Sequence, residues 1–86
     1  MGGTLFIKRC PMETKYHEQF IKFGLKVQYY RKLRGMTQES FAEAVGKSWS
    51  FIAKIESPTQ SFGVSMETMF TIADVLSIPV AKLFED

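Results

Sequence analysis

Cysteine is almost missing from this 86-residue chain: Cys10 stands alone. One thiol can form neither an internal disulfide nor a thiolate metal cluster, so the expected compartment is a reducing one, the cytoplasm. Histidine is equally scarce, His17 being the only one. No His/Cys/carboxylate set has metal-ligand spacing, no nucleophile stands beside a base, and no glycine-rich stretch could cradle a phosphate. Catalysis, a cofactor, a bound metal and a small-molecule substrate are therefore not expected. His17 reads as surface, and Cys10 beside Pro11 as incidental. No apolar run approaches the ~20 residues that span a bilayer. "TLFI" is too short for the core of a signal peptide, and no small-residue cleavage site follows it. No membrane partner is expected. Repeats and low-complexity segments are absent, and alternation of the β type competes only within the first ten residues.

What remains is a chain with 45% hydrophobic residues, enough for one small folded domain and too short for two. A core of this size supplies modest net stability, which makes further burial by self-association favourable. The net charge is only +2, but it is unevenly spread. Residues 1–54 hold ten basic against four acidic side chains, or +6. Residues 55–86 hold one basic against five acidic, or −4. Such a split suits a molecule that presents one face to a polyanion, and equally two solvated surfaces of accidental bias.

Residues 1–13 read as a peripheral arm: "MGG" is flexible, "LFIKR" is either a short strand or disordered, and Pro11 discourages a helix. Met12 is a candidate second start. Residues 14–86 read as the domain. From about Thr14 a helical stripe runs through Tyr16, Phe20, Phe23, Val27 and Tyr30, and Gly35 stops it. Thr37 caps a second helix that buries Phe41, Ala42 and Val45. Ser40 occupies the position where Glu completes a capping box, so this cap is expected to be weaker than it could be. Gly46 ends that helix with a left-handed turn, and Ser48 caps a third. "SPTQSFGV", residues 57–64, is a loop by composition. Ser65 caps a fourth helix with Met69, Ile72, Ala73 and Leu76 inward. Pro79 suits the first turn of a short fifth helix ending in "AKLFED". The expected fold is all-α, with five helices.

The stretch "QESFAEAVGKSWSFIAKI", Gln38 to Ile55, joins helices two and three in a particular way. Small Ala42 lets them approach closely, Gly46 turns the chain sharply between them, and Ile52 and Ile55 hold the third against the second. This is the helix-turn-helix arrangement, whose second helix projects into the DNA major groove. With "FGLKVQYYRKLRGMTQ" before it and "SMETMFTIADVLSIPVAKLFED" after, roughly three quarters of the chain resembles the Xre/Cro-type helix-turn-helix family, to which the lambdoid phage repressors belong.

That resemblance implies a lambda-repressor-like domain and a set of roles. Gln38, the first residue of the second helix, is implied to bond a DNA phosphate, helped by the helix N-terminus behind it. Ser48, Trp49, Ser50 and Lys54 occupy recognition-helix positions that approach base edges. Phe51 sits where the family tends to have a small residue near the DNA backbone, and it is grouped with the phosphate-side positions. Arg31 and Glu56 match an arginine and a glutamate that pair structurally. Dimer contacts in this family come from the C-terminal part, which makes Phe62, Val64, Phe70, Val75, Val80 and Phe84 candidates; ordinary core is the competing reading, for Phe84 above all.

This chain departs from the family in its loop. The family often carries basic residues after the third helix, and "SPTQSFGV" has none, although Ser57, Thr59, Gln60 and Ser61 can donate weaker bonds to phosphate. The basic load then falls to Lys47, the strongest phosphate candidate, with Lys32, Arg34 and the arm's Lys8 and Arg9.

The third helix itself poses a question. With Ile52 and Ile55 inward, Ser50 lies opposite, flanked by Ala53 and Lys54, and Trp49 and Phe51 fall near the borders. No Arg, Asn or Gln fork is present for bidentate reading of guanine or adenine. Either the helix reads apolar features, with Trp49 and Ala53 against thymine methyls and phosphates and DNA shape supplying much of the affinity, or Trp49 and Phe51 cap the core and specificity is weak. The expected function is a sequence-specific regulator of transcription that binds double-stranded DNA, represses, and acts as a homodimer on a palindromic operator. The alternative is a protein-interaction module that keeps the fold without DNA binding.

Overall fold

The computed structural model describes residues 15–85. The expectations for the arm at residues 1–13, and for Thr14 as the helix start, lie outside them. Four α-helices follow in order: α1 (His17–Leu33), α2 (Gln38–Val45), α3 (Trp49–Ile55) and α4 (Met66–Leu76), and after them comes a 3-10 helix, Val80–Phe84. Among the described residues there is no strand. The expected fifth α-helix is thus corrected to one short 3-10 segment. Pro79 stands at its N-cap in extended conformation (φ −64°, ψ 145°) and not in its first turn. Within it the Lys82 amide bonds the Pro79 carbonyl at 3.0 Å in the tighter i→i+3 pattern that short helical pieces adopt.

Most α-helix ends have a local cause. Thr37 Oγ1 accepts from the Ser40 amide at 3.0 Å, and the Thr37 amide donates to Ser40 Oγ at 3.1 Å. Ser40 therefore closes the capping box itself, which corrects the expectation that the box would stay open without Glu. Ser48 and Ser65 cap α3 and α4 through the amides of Phe51 and Thr68. Helix α1 ends in a paired wrap: Gly35 N–H bonds Lys32 O at 2.9 Å and Met36 N–H bonds Arg31 O at 3.1 Å. That geometry places Gly35 at φ +74°, which glycine adopts without penalty. Helix α4 ends the same way, but on Ser77 at φ +59°, a side-chain-bearing residue in the left-handed region.

The core is built from the inward stripes: Phe23 and Val27 from α1, Phe41, Ala42 and Val45 from α2, Ile52 and Ile55 from α3, Ile72, Ala73 and Leu76 from α4, and Leu83 from the 3-10 helix. The α1 stripe is only partly buried, since Tyr16 is exposed and Phe20 and Tyr30 are half-buried. Helix α2 packs on α3 and α4, while α1 braces α3, α4 and the 3-10 helix. One close approach fixes the bracing. A Cβ placed on Gly24 would lie 1.8 Å from the carbonyl oxygen of Ile55. Only a glycine lets α1 seat the end of α3 there.

Candidate nucleic-acid interface

Two turns beyond Gly24, on the same face of α1, stands Arg31. The seat at Gly24 brings Glu56, just past α3, opposite it. Arg31 Nε meets Glu56 Oε2 at 2.7 Å and Nη2 meets Oε1 at 2.9 Å, a two-pronged pair. Its remaining prong, Nη1, donates to Met36 O at 2.7 Å. Both residues are buried, Arg31 6% and Glu56 2% exposed. A pair so desolvated contributes a fixed geometry more dependably than net stability. It ties the base of α3 to α1 and to the turn before α2.

Glu56 also holds Gln38. The Gln38 Nε2 amide donates to Glu56 Oε1 at 3.0 Å, and Gln38 Oε1 accepts from the indole Nε1–H of Trp49 at 3.1 Å. A chain of hydrogen bonds thus runs from the buried Arg31 to the first residue of α3. The pairing of Arg31 and Glu56 is readable in the sequence. The link through Gln38 to Trp49 is not, because nothing in the spacing of residues 38 and 49 signals it. Gly24 was also missed, although a glycine inside an apolar stripe is a signal of close backbone approach.

Helix α3 presents Ser48, Trp49, Ser50, Ala53 and Lys54 to solvent. Trp49 is 57% exposed, not a border residue. Ser48 Oγ accepts from the Phe51 amide at 3.1 Å and lies 3.3 Å from Ser50 Oγ. Phe51 is half-buried and meets Phe62 edge-on, ring centres 5.3 Å apart. Two lysines lean on this aromatic pair: Lys47 Nζ sits 5.1 Å from the Phe51 ring and Lys54 Nζ 5.9 Å from the Phe62 ring. Such contacts are worth about 0.5–1 kcal/mol at exposed sites, so they pose the ammonium groups without locking them. Thr59 is exposed, its hydroxyl 3.4 Å from Ser57 Oγ. Arg34 faces elsewhere: its Nε donates to Leu76 O at 2.7 Å, capping the end of α4.

The residues expected at a dimer contact do not form one patch. Phe62 belongs to the α3 side. Val64 and Phe84 line an apolar groove of about 220 Å³ with Tyr16, Phe20, Phe23 and Met69, and Phe84 stacks on Phe23 with ring centres 5.4 Å apart. Phe70 on α4 is half exposed, and Val75 and Val80 are half-buried against the core. Among the described residues no group of three or more His, Cys, Asp or Glu could hold a metal ion. No helix among them is long and apolar enough to cross a membrane.

A capped short helix, a left-handed glycine turn and a second short helix with a solvent-facing polar and aromatic side define a helix-turn-helix protein. The sequence agrees: residues 27–83 match the helix-turn-helix family, and the chain belongs to it, in its Xre/Cro-like branch. It is 33% identical over 66 residues to an uncharacterized HTH-type transcriptional regulator of Sinorhizobium medicae (strain WSM419), covering 77% of this chain and 46% of that protein. The chain thus spans about half the length of that relative. It is 38% identical over 61 residues to the HTH-type transcriptional regulator YazB of Bacillus subtilis (strain 168), covering 71% of this chain and 86% of that protein. Among solved structures it is similar to the restriction-modification controller protein C.AhdI from Aeromonas hydrophila, with a TM-score of 0.72 and 26% identity over 79% of this chain and 100% of that one. It is also similar to SinR, a master regulator for biofilm formation solved in complex with DNA, with a TM-score of 0.67 and 27% identity over 73% and 98%.

Proposed function

We propose that this protein is a sequence-specific DNA-binding regulator of transcription that sets α3 in the major groove and acts as a homodimer on a two-fold operator, repressing by occlusion of the promoter. The observation that carries this reading is the exposed side of α3, rigidly mounted by the Arg31–Glu56 pair and flanked by the poised ammonium groups of Lys47 and Lys54. Similarity to a regulator solved on DNA supports it. In this reading Ser48, Trp49, Ser50 and Lys54 face base edges. Gln38, Lys47 and Thr59 contact phosphates, and Phe51 serves that side by holding Lys47. The second N–H of the Gln38 amide remains to reach a phosphate while the first stays on Glu56. The dimer contact in this reading is drawn from Val64, Phe70, Val80 and Phe84, of which Val64 and Phe84 share one groove; Phe62, against Phe51 on the α3 side, stands apart from it. One recognition helix covers a few base pairs, so two copies must place theirs about 34 Å apart.

Selection of duplexes from a random pool tests this. The expected product is an inverted repeat with half-sites one helical turn apart, bound with steep salt dependence. Retention of no duplex, or binding indifferent to salt, overturns it and favours the protein-interaction reading, which the lack of Arg, Asn or Gln forks on α3 would then explain.

A further inference from the structure

Resting on that reading, we infer that the first turn of α3 recognises the C5 methyl group of a pyrimidine, thymine or 5-methylcytosine, through the ring of Trp49, whose indole N–H reads no base edge. The indole has one polar atom, a donor, and it is already engaged. Nε1–H points to Gln38 Oε1 at 3.1 Å. The orientation of the Gln38 amide is itself dictated. Glu56 presents only acceptor oxygens, so the amide nitrogen must face it, at 3.0 Å, and the amide oxygen must face Trp49. Glu56 cannot turn away, because it is buried and gripped by both prongs of Arg31. Buried charge thus orders an amide, and the amide orders an indole. What Trp49 shows to solvent is ring carbon, more than half exposed.

Its neighbours extend this surface. Ala53, one turn on along the same side, adds a methyl group in the open. Ser48 Oγ is committed to the Phe51 amide, and Ser48 and Ser50 share a hydrogen bond of 3.3 Å. The donors left for base edges are one serine hydroxyl and the Lys54 ammonium. In the major groove the one apolar feature that distinguishes a base is the C5 methyl, and only thymine and methylated cytosine carry it.

The test uses the selected duplex, one strand position at a time. Uracil for thymine removes the methyl and nothing else. At one position in each half-site it should weaken binding about fourfold, or about 0.8 kcal/mol at 1.4 kcal/mol per factor of ten. At the same position, 5-methylcytosine should bind about fourfold tighter than cytosine, which separates the two sources of the methyl. Trp49→Ala should abolish both ratios. Trp49→Phe, which keeps a ring but loses the N–H that Gln38 holds, should reduce both ratios without abolishing them, and Lys54→Ala should weaken thymine and uracil duplexes by the same factor. Uracil tolerated at every thymine overturns the inference, as does Trp49→Ala keeping the ratios. If salt-dependent binding persists while the methyl is ignored, only this inference falls. If no duplex is retained at all, the DNA-binding reading falls with it.

Discussion

Gly24→Ala sets two well-measured effects against each other with opposite signs. Inside a helix, alanine is favoured over glycine by about 0.8–1 kcal/mol, so local propensity alone makes this substitution stabilising. The packing reverses that. The new Cβ would lie 1.8 Å from Ile55 O and 3.0 Å from Ile55 C. Both neighbours are backbone atoms and cannot swing aside. Restoring an ordinary separation of about 3.4 Å requires α1 and the end of α3 to part by about 1.6 Å, an overpacking displacement of the kind that costs about 1–3 kcal/mol or more. Glu56 is the next residue, and its 2.7 and 2.9 Å bonds to Arg31 cannot survive such a shift unchanged. Weakening a buried pair adds to the cost, towards the 3–5 kcal/mol seen on removing a partner. The net expectation is destabilisation of about 2–4 kcal/mol. For a domain of this size each kcal/mol moves Tm by about 4–8 °C, so thermal unfolding followed by circular dichroism at 222 nm should show a drop of at least about 8 °C. A Tm equal to or above that of the parent would mean that α1 does not seat on the Ile55 carbonyl, and the account of how α3 is mounted would be wrong.

Other outcomes follow from single features of the structure. Ser77→Gly should raise stability by about 0.5–1 kcal/mol in denaturant titration, because Ser77 sits at φ +59° and glycine adopts that conformation without the Cβ penalty; a loss of stability would show that the Ser77 side chain has a role the geometry does not reveal. Glu56→Ala should cost about 3–5 kcal/mol, since it strands the buried Arg31 guanidinium, whereas Arg31→Met with Glu56→Leu should recover at least half of that; equal losses in the single and double variants would contradict the desolvation argument. Lys47→Ala should weaken binding to all duplexes by a similar factor and lower the salt slope by about one, as for a phosphate contact; a change in sequence preference would move Lys47 to the base-reading set.

Much of this architecture is legible in the sequence alone. Thr37, Ser48 and Ser65 announce helix starts, and Gly35 and Gly46 announce stops, because capping and left-handed turns depend on residue chemistry that is local in sequence. The inward stripes of α2, α3 and α4 follow from periodicity for the same reason. Features that depend on partners far along the chain were less legible. Ser40 reaching back to the Thr37 amide is local, but it depends on a rotamer that residue type does not announce. The left-handed turn at Ser77 is set by the closure of α4 against the last segment, where no glycine marks it. The 3-10 winding after Pro79 shows in the bond from the Lys82 amide to the Pro79 carbonyl, which no residue type in that stretch announces. At the interface, the Arg31–Glu56 pair was readable from its resemblance to a known pairing. The extension through Gln38 to Trp49 joins three elements across the fold, and no spacing rule encodes it. The dimer candidates divided in the same way: Phe62 looks like its apolar neighbours in composition, but the edge contact with Phe51 places it beside α3.

The central claim is that α3, mounted on α1 by Glu56 and Arg31, is the surface that meets DNA. Titrating the isotopically labelled protein with a selected duplex and following its backbone amide resonances tests this most directly. The largest shifts should fall on Ser48 through Lys54, with a smaller set at Gln38 and Lys47, and Phe70 and Val80, assigned to the proposed dimer contact, should move little. Shifts concentrated on α4 and the 3-10 helix, with α3 silent, would contradict the account.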